Sequence, residues 1–318
     1  MCLNVIALIC CSDYIFYMNL NLFLTHSYVL GYFGLFVLGL FVGSFLNVVA
    51  DRSAKGTSYL KGRSKCDDCE KELTVKDLVP LFSYMFLKGK CRYCNTKLSW
   101  YYPFSEFLTG FIFVGLAVYM RVFSVGNPDI WFSYFYLITV LCLMVTLALS
   151  DLKYRLIPNS IVYPAIAFVI LMTVVAFVAW AYTSYNAMNS DPFGKYLIQV
   201  GYWRDQMYMV ARSIGLTFLS AFAIALFFWF LIFVTKGKGM GGGDLKLGFL
   251  VGMFNGFPGN IAAIFIGFIL GALYSLILVV LRKKSMKDTI PFGPFLILGS
   301  VVAFVFGRTL IEYYLRFF

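Results

Sequence analysis

The stretch Trp131–Asn159, "WFSYFYLITVLCLMVTLALSDLKYRLIPN", decides the fold class. Its first part, Trp131–Leu149, carries no charged side chain. An uncharged apolar run of about 20 residues is long enough to cross the hydrocarbon core of a bilayer as a helix. Asp151, Lys153 and Arg155 follow at once. The stretch therefore predicts a membrane-spanning helix that ends in a charged edge with a carboxylate in it.

The same signal recurs along the whole chain. A hydrophobic content of 61% over 318 residues and a mean hydropathy of +0.83 exclude an ordinary soluble domain. We therefore predict an all-α polytopic membrane protein with about eight transmembrane helices, of which the one near 245–257 is short enough to be a half helix. The predicted spans lie near 30–50, 105–122, 132–150, 158–182, 208–235, 245–257, 260–281 and 292–315.

The net charge of +11 comes from lysines and arginines that cluster in particular loops. This distribution argues against a basic surface for nucleic acid. Lysine and arginine cluster in 51–104, 153–155, 236–246 and 282–287, whereas the connections 123–131 and 183–207 have few of them. Cytoplasmic loops carry the excess of positive charge in membrane proteins. These four loops are therefore predicted to be cytoplasmic, and both chain ends to lie outside. The expected partner is the lipid bilayer, with no nucleic acid.

The region 51–104 is the only predicted soluble part, and it is too small to be stable on its core alone. It contains two C-x-x-C pairs, Cys66 with Cys69 and Cys91 with Cys94. This spacing is typical of a tetrahedral zinc site. Two disulfides are the alternative, but a cytoplasmic loop lies in a reducing compartment. We divide the chain into an apolar N-terminal extension at 1–28, a first transmembrane helix at 29–50, a cytoplasmic zinc-binding domain at 51–104 and a transmembrane catalytic domain at 105–318.

Carboxylates beside membrane spans are few, and each needs an explanation. Glu312 lies at the outer end beside Arg308, where a solvated or ion-paired role is expected. Asp151 and Asp244 are both predicted at the cytoplasmic edge, so they can face each other. Two carboxylates a few ångströms apart cannot both ionise and share one proton. The ionised member can then activate water while the protonated member polarises a carbonyl, as in aspartic proteolysis.

The stretch Gly239–Gly248, "GMGGGDLKLG", places Asp244 after Gly241, Gly242 and Gly243. Glycines tolerate positive φ and allow another backbone to approach closely, which suits an extended peptide substrate. The structural alternative is a flexible loop in which Asp244 is a helix N-cap. The matching depth of Asp151 favours the catalytic interpretation.

Seven motifs together resemble one family, the prepilin peptidases or type IV leader peptidases, which are membrane aspartic proteases. They occur in the family's order across about residues 40–300. The motifs are "GSFLNVVADR", the two cysteine pairs, "LVPLFSYMFLKGKCRYC", "YPFSEFLTG", "SDLKYRLIPN", "GMGGGDLKLG" and "PFGPFLILG".

The resemblance implies the roles of individual residues. Asp151 and Asp244 would be the catalytic aspartates, and Gly241 and Gly243 the glycines of the family's G-x-G-D motif. The four paired cysteines would bind zinc. Members of the family typically also transfer a methyl group from S-adenosylmethionine to the newly exposed amine. No S-adenosylmethionine motif is recognisable in the sequence, so methylation follows from the resemblance alone.

Glu106, in "YYPFSEFLTG", is a candidate for that methyl transfer. It lies where the zinc-binding domain re-enters the membrane, a costly place for a carboxylate without a partner or a role. Either it forms an ion pair with a cytoplasmic lysine, or it orients the new N-terminal amine of the substrate.

The predicted function is therefore cleavage of the basic leader from prepilin or pseudopilin substrates at the cytoplasmic face of the inner membrane, followed by N-methylation. One alternative is a leader peptidase without methyltransferase activity, or one that acts on archaeal preflagellins. A different class is a cation transporter with intramembrane aspartates. Transport carboxylates lie near the bilayer midplane, whereas Asp151 and Asp244 are predicted at its edge.

Overall fold

A computed structural model describes residues 26–58, 62–66, 68–123, 128–237, 240–282 and 290–316. The extension predicted over 1–28 lies outside these residues as far as residue 25. Over the described residues the regular elements are helices, with isolated β-bridges in place of strands. They are α1 (His26–Ala54), α2 (Phe82–Phe86), α3 (Tyr101–Tyr119), α4 (Pro128–Tyr154), α5 (Asn159–Asn189), α6 (Pro192–Gln199), α7 (Tyr202–Val234), α8 (Gly242–Asn255), α9 (Gly259–Val280) and α10 (Gly293–Leu315).

Each of the eight apolar runs predicted from the sequence forms a helix. Six of the described helices, α1, α3, α4, α5, α7 and α9, are long and apolar enough to cross a membrane. In α10 the apolar part, Gly293–Gly307, is shorter. Helix α8 has 14 residues, so it rises about 21 Å at 1.5 Å per residue. That is about two thirds of a hydrocarbon core of about 30 Å. The prediction that this helix is short is therefore confirmed.

The connection predicted over 183–207 is largely helical. Helix α5 continues to Asn189, α6 occupies Pro192–Gln199, and α7 begins at Tyr202. The sequence there is polar enough to look like a loop. Helix α6 begins at an N-cap, since the Asp191 carboxylate accepts the Phe193 N–H at 2.7 Å.

The described chain divides into two compact units, an amino-terminal one that ends at Tyr154 and a carboxy-terminal one that begins at Arg155. In the amino-terminal unit, α1 packs against α3 and α4. Gly39 and Gly43 of α1 allow the approach to α3. A Cβ added to Gly39 would lie 2.8 Å from the Cα of Gly110, and one added to Gly43 would lie 2.9 Å from the Cα of Glu106. Small residues four positions apart are a common means of close helix packing in membranes.

We expect Gly43→Leu to separate α1 from α3. Because the new side chain would meet backbone, the free energy of unfolding should fall by about 1–3 kcal/mol, the usual cost of overpacking. Gly34→Leu on the same helix is the control, since no atom lies within 4 Å of a Cβ there. Reversible unfolding in detergent would measure both variants. Equal stabilities would contradict the packing described.

In the carboxy-terminal unit, α8 contacts α5, α7, α9 and α10. Its inner part from Leu247 to Asn255 is almost entirely buried. Gly248 faces Phe228 and Gly252 faces Ala221, both of α7, without room for a Cβ. The carboxy-terminal unit is therefore built around α8, the helix whose first turn carries Asp244.

Candidate active site and metal centre

Asp151 lies in the last turn of α4 and is buried, with 6% of its surface exposed. The next residues end the helix, because Arg155 has a φ of +53° and Pro158 precedes α5. A carboxylate at this depth needs polar surroundings, since a buried charge without them is costly. The structure thus places Asp151 at the charged end of a spanning helix, as the sequence predicted.

Asp244 is the third residue of α8, and Gly241 is the N-cap. The structural alternative, in which Asp244 is the helix N-cap, is therefore wrong. Its carboxylate accepts the N–H of Gly241 at 3.2 Å, and its own N–H donates to the Gly241 carbonyl at 3.1 Å. The first turn of a helix favours negative charge. Asp151 belongs to the amino-terminal unit and Asp244 to the carboxy-terminal unit.

The three glycines before Asp244 differ in what surrounds them. A Cβ on Gly243 would lie 2.9 Å from the Cβ of Ile157, so this glycine permits close packing. Gly242 has open space around it, and the nearest atom to a Cβ on Gly241 is 4.0 Å away. None of the three has a positive φ, because the positive-φ glycines of the described residues lie elsewhere. A need for positive φ therefore does not explain the three glycines. Gly241 and Gly242 instead leave their backbone accessible.

The beginning of α8 is tied to the beginning of α5. Lys246 Nζ donates to Asn159 Oδ1 at 2.6 Å and lies 4.8 Å from the centroid of the Tyr163 ring. A cation over an aromatic face adds to the hydrogen bond. These contacts hold the first turn of α8, and with it Asp244, against its neighbour in the same unit.

A charged cluster that the sequence analysis missed surrounds Asp51, at the end of α1. Lys153 Nζ lies 2.9 Å from both Asp51 carboxylate oxygens, and the hydroxyls of Tyr102 and Tyr154 donate to the same carboxylate at 3.3 and 3.2 Å. Lys153 also donates to the Tyr102 hydroxyl at 2.8 Å. The cluster joins the ends of α1, α3 and α4, two residues beyond Asp151.

We expect a double-mutant cycle of Asp51→Asn and Lys153→Met to give a coupling energy of about 1 kcal/mol. The pair is only 19% and 27% exposed, so solvent screens it less than a surface pair. The matched control is Arg63→Met with Glu72→Gln, an ion pair whose side chains are 69% and 50% exposed. Its coupling should be close to zero. Equal couplings in unfolding measurements would show that the Asp51 cluster does not fasten these helix ends.

The four predicted cysteine ligands come together. The sulfur atoms of Cys66, Cys69, Cys91 and Cys94 all lie within 4.8 Å of one another, and none of the four is in a disulfide. A tetrahedral site with zinc–sulfur bonds of about 2.3 Å has sulfurs about 3.8 Å apart. Cys66 Sγ and Cys94 Sγ are 3.8 Å apart. The donor set and its spacing therefore fit a metal ion.

The two cysteine pairs belong to two knuckles of the same structure, Lys65–Leu73 ("KCDDCEKEL") and Lys90–Leu98 ("KCRYCNTKL"). In each knuckle, the N–H of the first cysteine donates to the carbonyl five positions on, at 3.0 and 2.9 Å. Each has an antiparallel bridge across it. The residue after the second cysteine, Glu70 or Asn95, has a positive φ of 53° or 57°. The repeated turn presents two sulfurs from each knuckle to one point.

Asp77 fastens the second knuckle to the turn Val75–Asp77. Its carboxylate lies 2.7 Å from Arg92 Nε and accepts the Thr74 hydroxyl at 2.7 Å. Partial burial opposes ionisation, but the hydrogen bonds from Thr74 and the Arg92 guanidinium outweigh it and lower the pKa of the Asp77 carboxyl. Because Arg92 lies between Cys91 and Cys94, this ion pair supports the metal site from outside the ligand set.

Glu106 lies on α3 and is buried, with 9% of its surface exposed. The predicted ion pair with a lysine is not found among the described residues. Instead, the carboxylate accepts the Leu81 N–H at 2.9 Å and the Ser44 hydroxyl. Leu81 has a φ of +58° and a ψ of −48°, and the Phe82 N–H donates to the Pro80 carbonyl across it at 2.6 Å. This is a strained γ-turn, rare for a leucine.

The sequence contains little that predicts the Asp51 cluster or the γ-turn at Leu81. Asp51 is visible in "GSFLNVVADR" as a carboxylate directly after an apolar run. Its partner Lys153 is far away in the chain, and nothing in the sequence joins the two. Leu81 gives no signal, since leucine seldom adopts positive φ.

Comparisons with known proteins agree with the motif order. The bacterial peptidase A24 N-terminal domain matches residues 37–120, and the type IV leader peptidase family matches residues 138–276, which include Asp151 and Asp244. No solved structure matches the chain.

Proteins named prepilin leader peptidase/N-methyltransferase match over most of the chain. The one from Bacillus subtilis is 27% identical over 282 residues, 89% of this chain and 97% of the relative. The one from Aeromonas salmonicida is 27% identical over 325 residues, 94% of this chain and 99% of the relative. The one from Myxococcus xanthus is 37% identical over 148 residues, 44% of this chain and 42% of the relative.

Proposed function

The chain belongs to the type IV leader peptidase family, and from this premise we propose that it is a membrane-embedded aspartic endopeptidase that removes the leader from prepilin-like proteins. Asp151 and Asp244 are the proposed catalytic residues. The observation that carries the proposal is Asp244 in the first turn of an enclosed helix, after two glycines with accessible backbone. Both aspartates also lie within the matched region of the family.

The chemistry follows from two carboxylates that share one proton. The ionised carboxylate takes a proton from water, whose oxygen attacks the scissile carbonyl. The protonated carboxyl donates a hydrogen bond to the carbonyl oxygen as negative charge develops there. The proton then passes to the leaving amine. The accessible backbone at Gly241 and Gly242 gives an extended substrate a place to lie beside Asp244.

The place of cleavage follows from the charge pattern. A prepilin-like substrate has a basic leader in the cytoplasm and an apolar helix in the bilayer, so the bond between them lies at the cytoplasmic membrane face. Both aspartates lie at helix ends within basic stretches. We therefore assign the protein to the cytoplasmic membrane, with prepilins or pseudopilins as substrates.

The cysteine-rich region between α1 and α3 is proposed to bind zinc as a structural ion. The four thiolates occupy all positions of a tetrahedral site, which leaves none for water or substrate. When bound, zinc holds the two knuckles together and supplies no step of the proteolysis. We retain the division into an extension at 1–28, a first helix at 29–50, a zinc-binding domain at 51–104 and a catalytic domain at 105–318 as part of this proposal.

The proposed second activity is methylation of the new N-terminus with S-adenosylmethionine, and Glu106 is the proposed residue for it. We expect Glu106→Gln to lose methylation more than cleavage, because the amide keeps the shape of the side chain and removes its negative charge. Glu72→Gln, which removes an exposed carboxylate of the same region, is the control. Rates of leader removal and methyl incorporation would be measured together. Equal loss of both, or loss of neither, would remove Glu106 from the methyl-transfer site.

A protease assay with a chelator tests the proposed mechanism. Purified protein is incubated with a prepilin, and the new N-terminus is sequenced, with and without a chelator added at the start. We expect one cut between leader and apolar helix, at an initial rate that the chelator does not change before the knuckles unfold. A rate that falls at once, while helix content is intact, would indicate hydrolysis by a metal and would contradict the assignment.

A further inference from the structure

A cavity of about 610 Å³ lies within the amino-terminal unit, between the two knuckles and the cytoplasmic ends of α1 and α3. Its volume is in the range of about 300–1,000 Å³ typical of small-molecule sites. Asn47 of α1, Glu106 of α3 and Tyr84 of α2 line it. Five basic side chains line it as well, namely Arg52, Lys55, Arg63, Lys65 and Arg92. Cys66 and Cys91 also line it, so the metal site forms part of its wall.

The Asn47 side chain has an unmet hydrogen-bonding group in this cavity. It is 4% exposed, and the Ser105 hydroxyl holds one end of its amide at 2.9 Å. The other end of the amide is buried and has no partner among the described residues. An unsatisfied buried polar atom destabilises the protein, because it has lost its bonds to water and gained none in return. A polar group of a ligand in the cavity could form a hydrogen bond with this free end, whether the end is the amide nitrogen or the amide oxygen.

Glu106 supplies the second observation. Its carboxylate is held by Leu81 and Ser44, and no cationic side chain of the described residues pairs with it. The Leu81 N–H is aimed at it by the strained γ-turn, and backbone strain of this kind is concentrated at functional sites. The helix side of the cavity thus presents a negative charge and an unpaired amide group together, which suits a ligand that has a cationic centre and hydrogen-bonding groups. The basic side chains that also line the cavity suit a carboxylate on the same ligand.

We infer that this cavity binds the methyl donor S-adenosylmethionine, with Glu106 and Asn47 holding its cationic methionyl end. The donor has a sulfonium and an ammonium group for the Glu106 carboxylate. Its remaining polar groups suit the Asn47 amide. Tyr84, which lines the cavity, supplies an aromatic ring for the adenine or the sulfonium. The inference rests on the methyl transfer of the proposed function and deepens it by locating the donor.

The transfer that this site would serve is balanced without another reactant. The N-terminal ammonium of the cleaved substrate first loses a proton to solvent. Its nitrogen then forms a bond to the methyl carbon as the carbon–sulfur bond breaks, and the sulfur keeps the electron pair to give S-adenosylhomocysteine. Glu106 contributes charge that holds the donor and does not react.

The test measures binding of S-adenosylmethionine to the purified, metal-loaded protein in detergent, with no prepilin present. We expect Glu106→Gln to weaken binding at least tenfold, because the carboxylate is buried and holds the cationic centre. A second variant, Ser83→Trp, fills the cavity from α2 without altering Glu106, and should weaken binding as much. Glu72→Gln, outside the cavity lining, should bind like the wild type. Metal content per chain shows that each variant keeps its knuckles.

The outcomes separate this inference from the proposed function. Binding by the wild type that neither Glu106→Gln nor Ser83→Trp weakens would overturn the location. A wild type that cleaves prepilin and binds no S-adenosylmethionine would overturn both the methyl transfer and this site, and would leave the peptidase assignment standing. Binding lost in both variants, with Glu72→Gln unchanged, would establish the site whether or not cleavage is observed.

Discussion

Asp151→Asn and Asp244→Asn are each expected to reduce the rate of leader removal by about 10³-fold or more. General acid–base groups contribute about 10²–10⁴ to enzymatic rates, and groups that act as a unit fail together. Asparagine cannot take a proton from water or share one with a carboxylate. Because it has nearly the same shape as aspartate, we expect both variants to fold and insert. The initial rate of cleavage of a prepilin in detergent gives the measurement.

The matched control for this first prediction is Asp191→Asn. Asp191 caps α6 and accepts the Phe193 N–H, and asparagine caps helices about as well as aspartate. Its cleavage rate should equal that of the wild type. A substantial rate in either Asp151→Asn or Asp244→Asn would remove that residue from the catalytic pair, provided the variant contains the wild-type amount of metal.

Replacement of any one of the four paired cysteines by serine is expected to release the metal and loosen residues 51–104. Structural zinc contributes about 10–16 kcal/mol of apparent binding free energy in small zinc domains near neutral pH, and this region has little core to replace it. Cys91, for example, is almost fully buried at the centre of its knuckle. Elemental analysis should find about one zinc per wild-type chain, and limited proteolysis should cut the variants faster within 51–104.

Cys142→Ser is the control for the metal site. Cys142 is half-buried on α4, where it packs beside the cluster formed by Leu46, Ala50, Val145 and Leu149. Its replacement should leave zinc content and proteolysis unchanged. A wild-type protein without metal, in which mass spectrometry finds two disulfides among the four paired cysteines, would contradict the zinc assignment and support the alternative.

The helices and the metal site can be predicted from short stretches of the sequence. Apolar runs predicted every long helix, since length and hydropathy alone decide which segments can enter a bilayer. The shortness of α8 was visible because glycines and an aspartate precede it and Pro258 follows it. The cysteine spacing predicted the metal site, because each C-x-x-C pair forms one local turn.

What the sequence left open depends on contacts between distant segments. The carboxylate of Glu106 accepts a backbone N–H, and a backbone group has no signature in the sequence. The lysine ion pair, one of the two roles expected of Glu106, is therefore not found among the described residues. Asp51 and Lys153 are joined only when α1 and α4 pack together. The unpaired end of the Asn47 amide is visible only once the cavity has formed.

The role of Asp244 shows the same limit within a single turn. The sequence placed this residue at a helix start but not at a position within it, because any of the preceding glycines can be the N-cap. Gly241 takes that position, and the Asp244 carboxylate turns back to its N–H. The helix thus begins three residues earlier than an Asp244 cap would require, and the Asp244 side chain lies in its first turn.

Cleavage by the two aspartates and the methylation that follows are tested most directly by the mass spectrum of a prepilin after incubation with the purified protein and S-adenosylmethionine. We expect the wild type to convert the substrate to a product lighter by its leader and heavier by one methyl group. We expect Asp244→Asn to leave the substrate at full mass. A full-length substrate after incubation with a folded, metal-loaded wild type, or a truncated one after incubation with Asp244→Asn, would contradict these expectations.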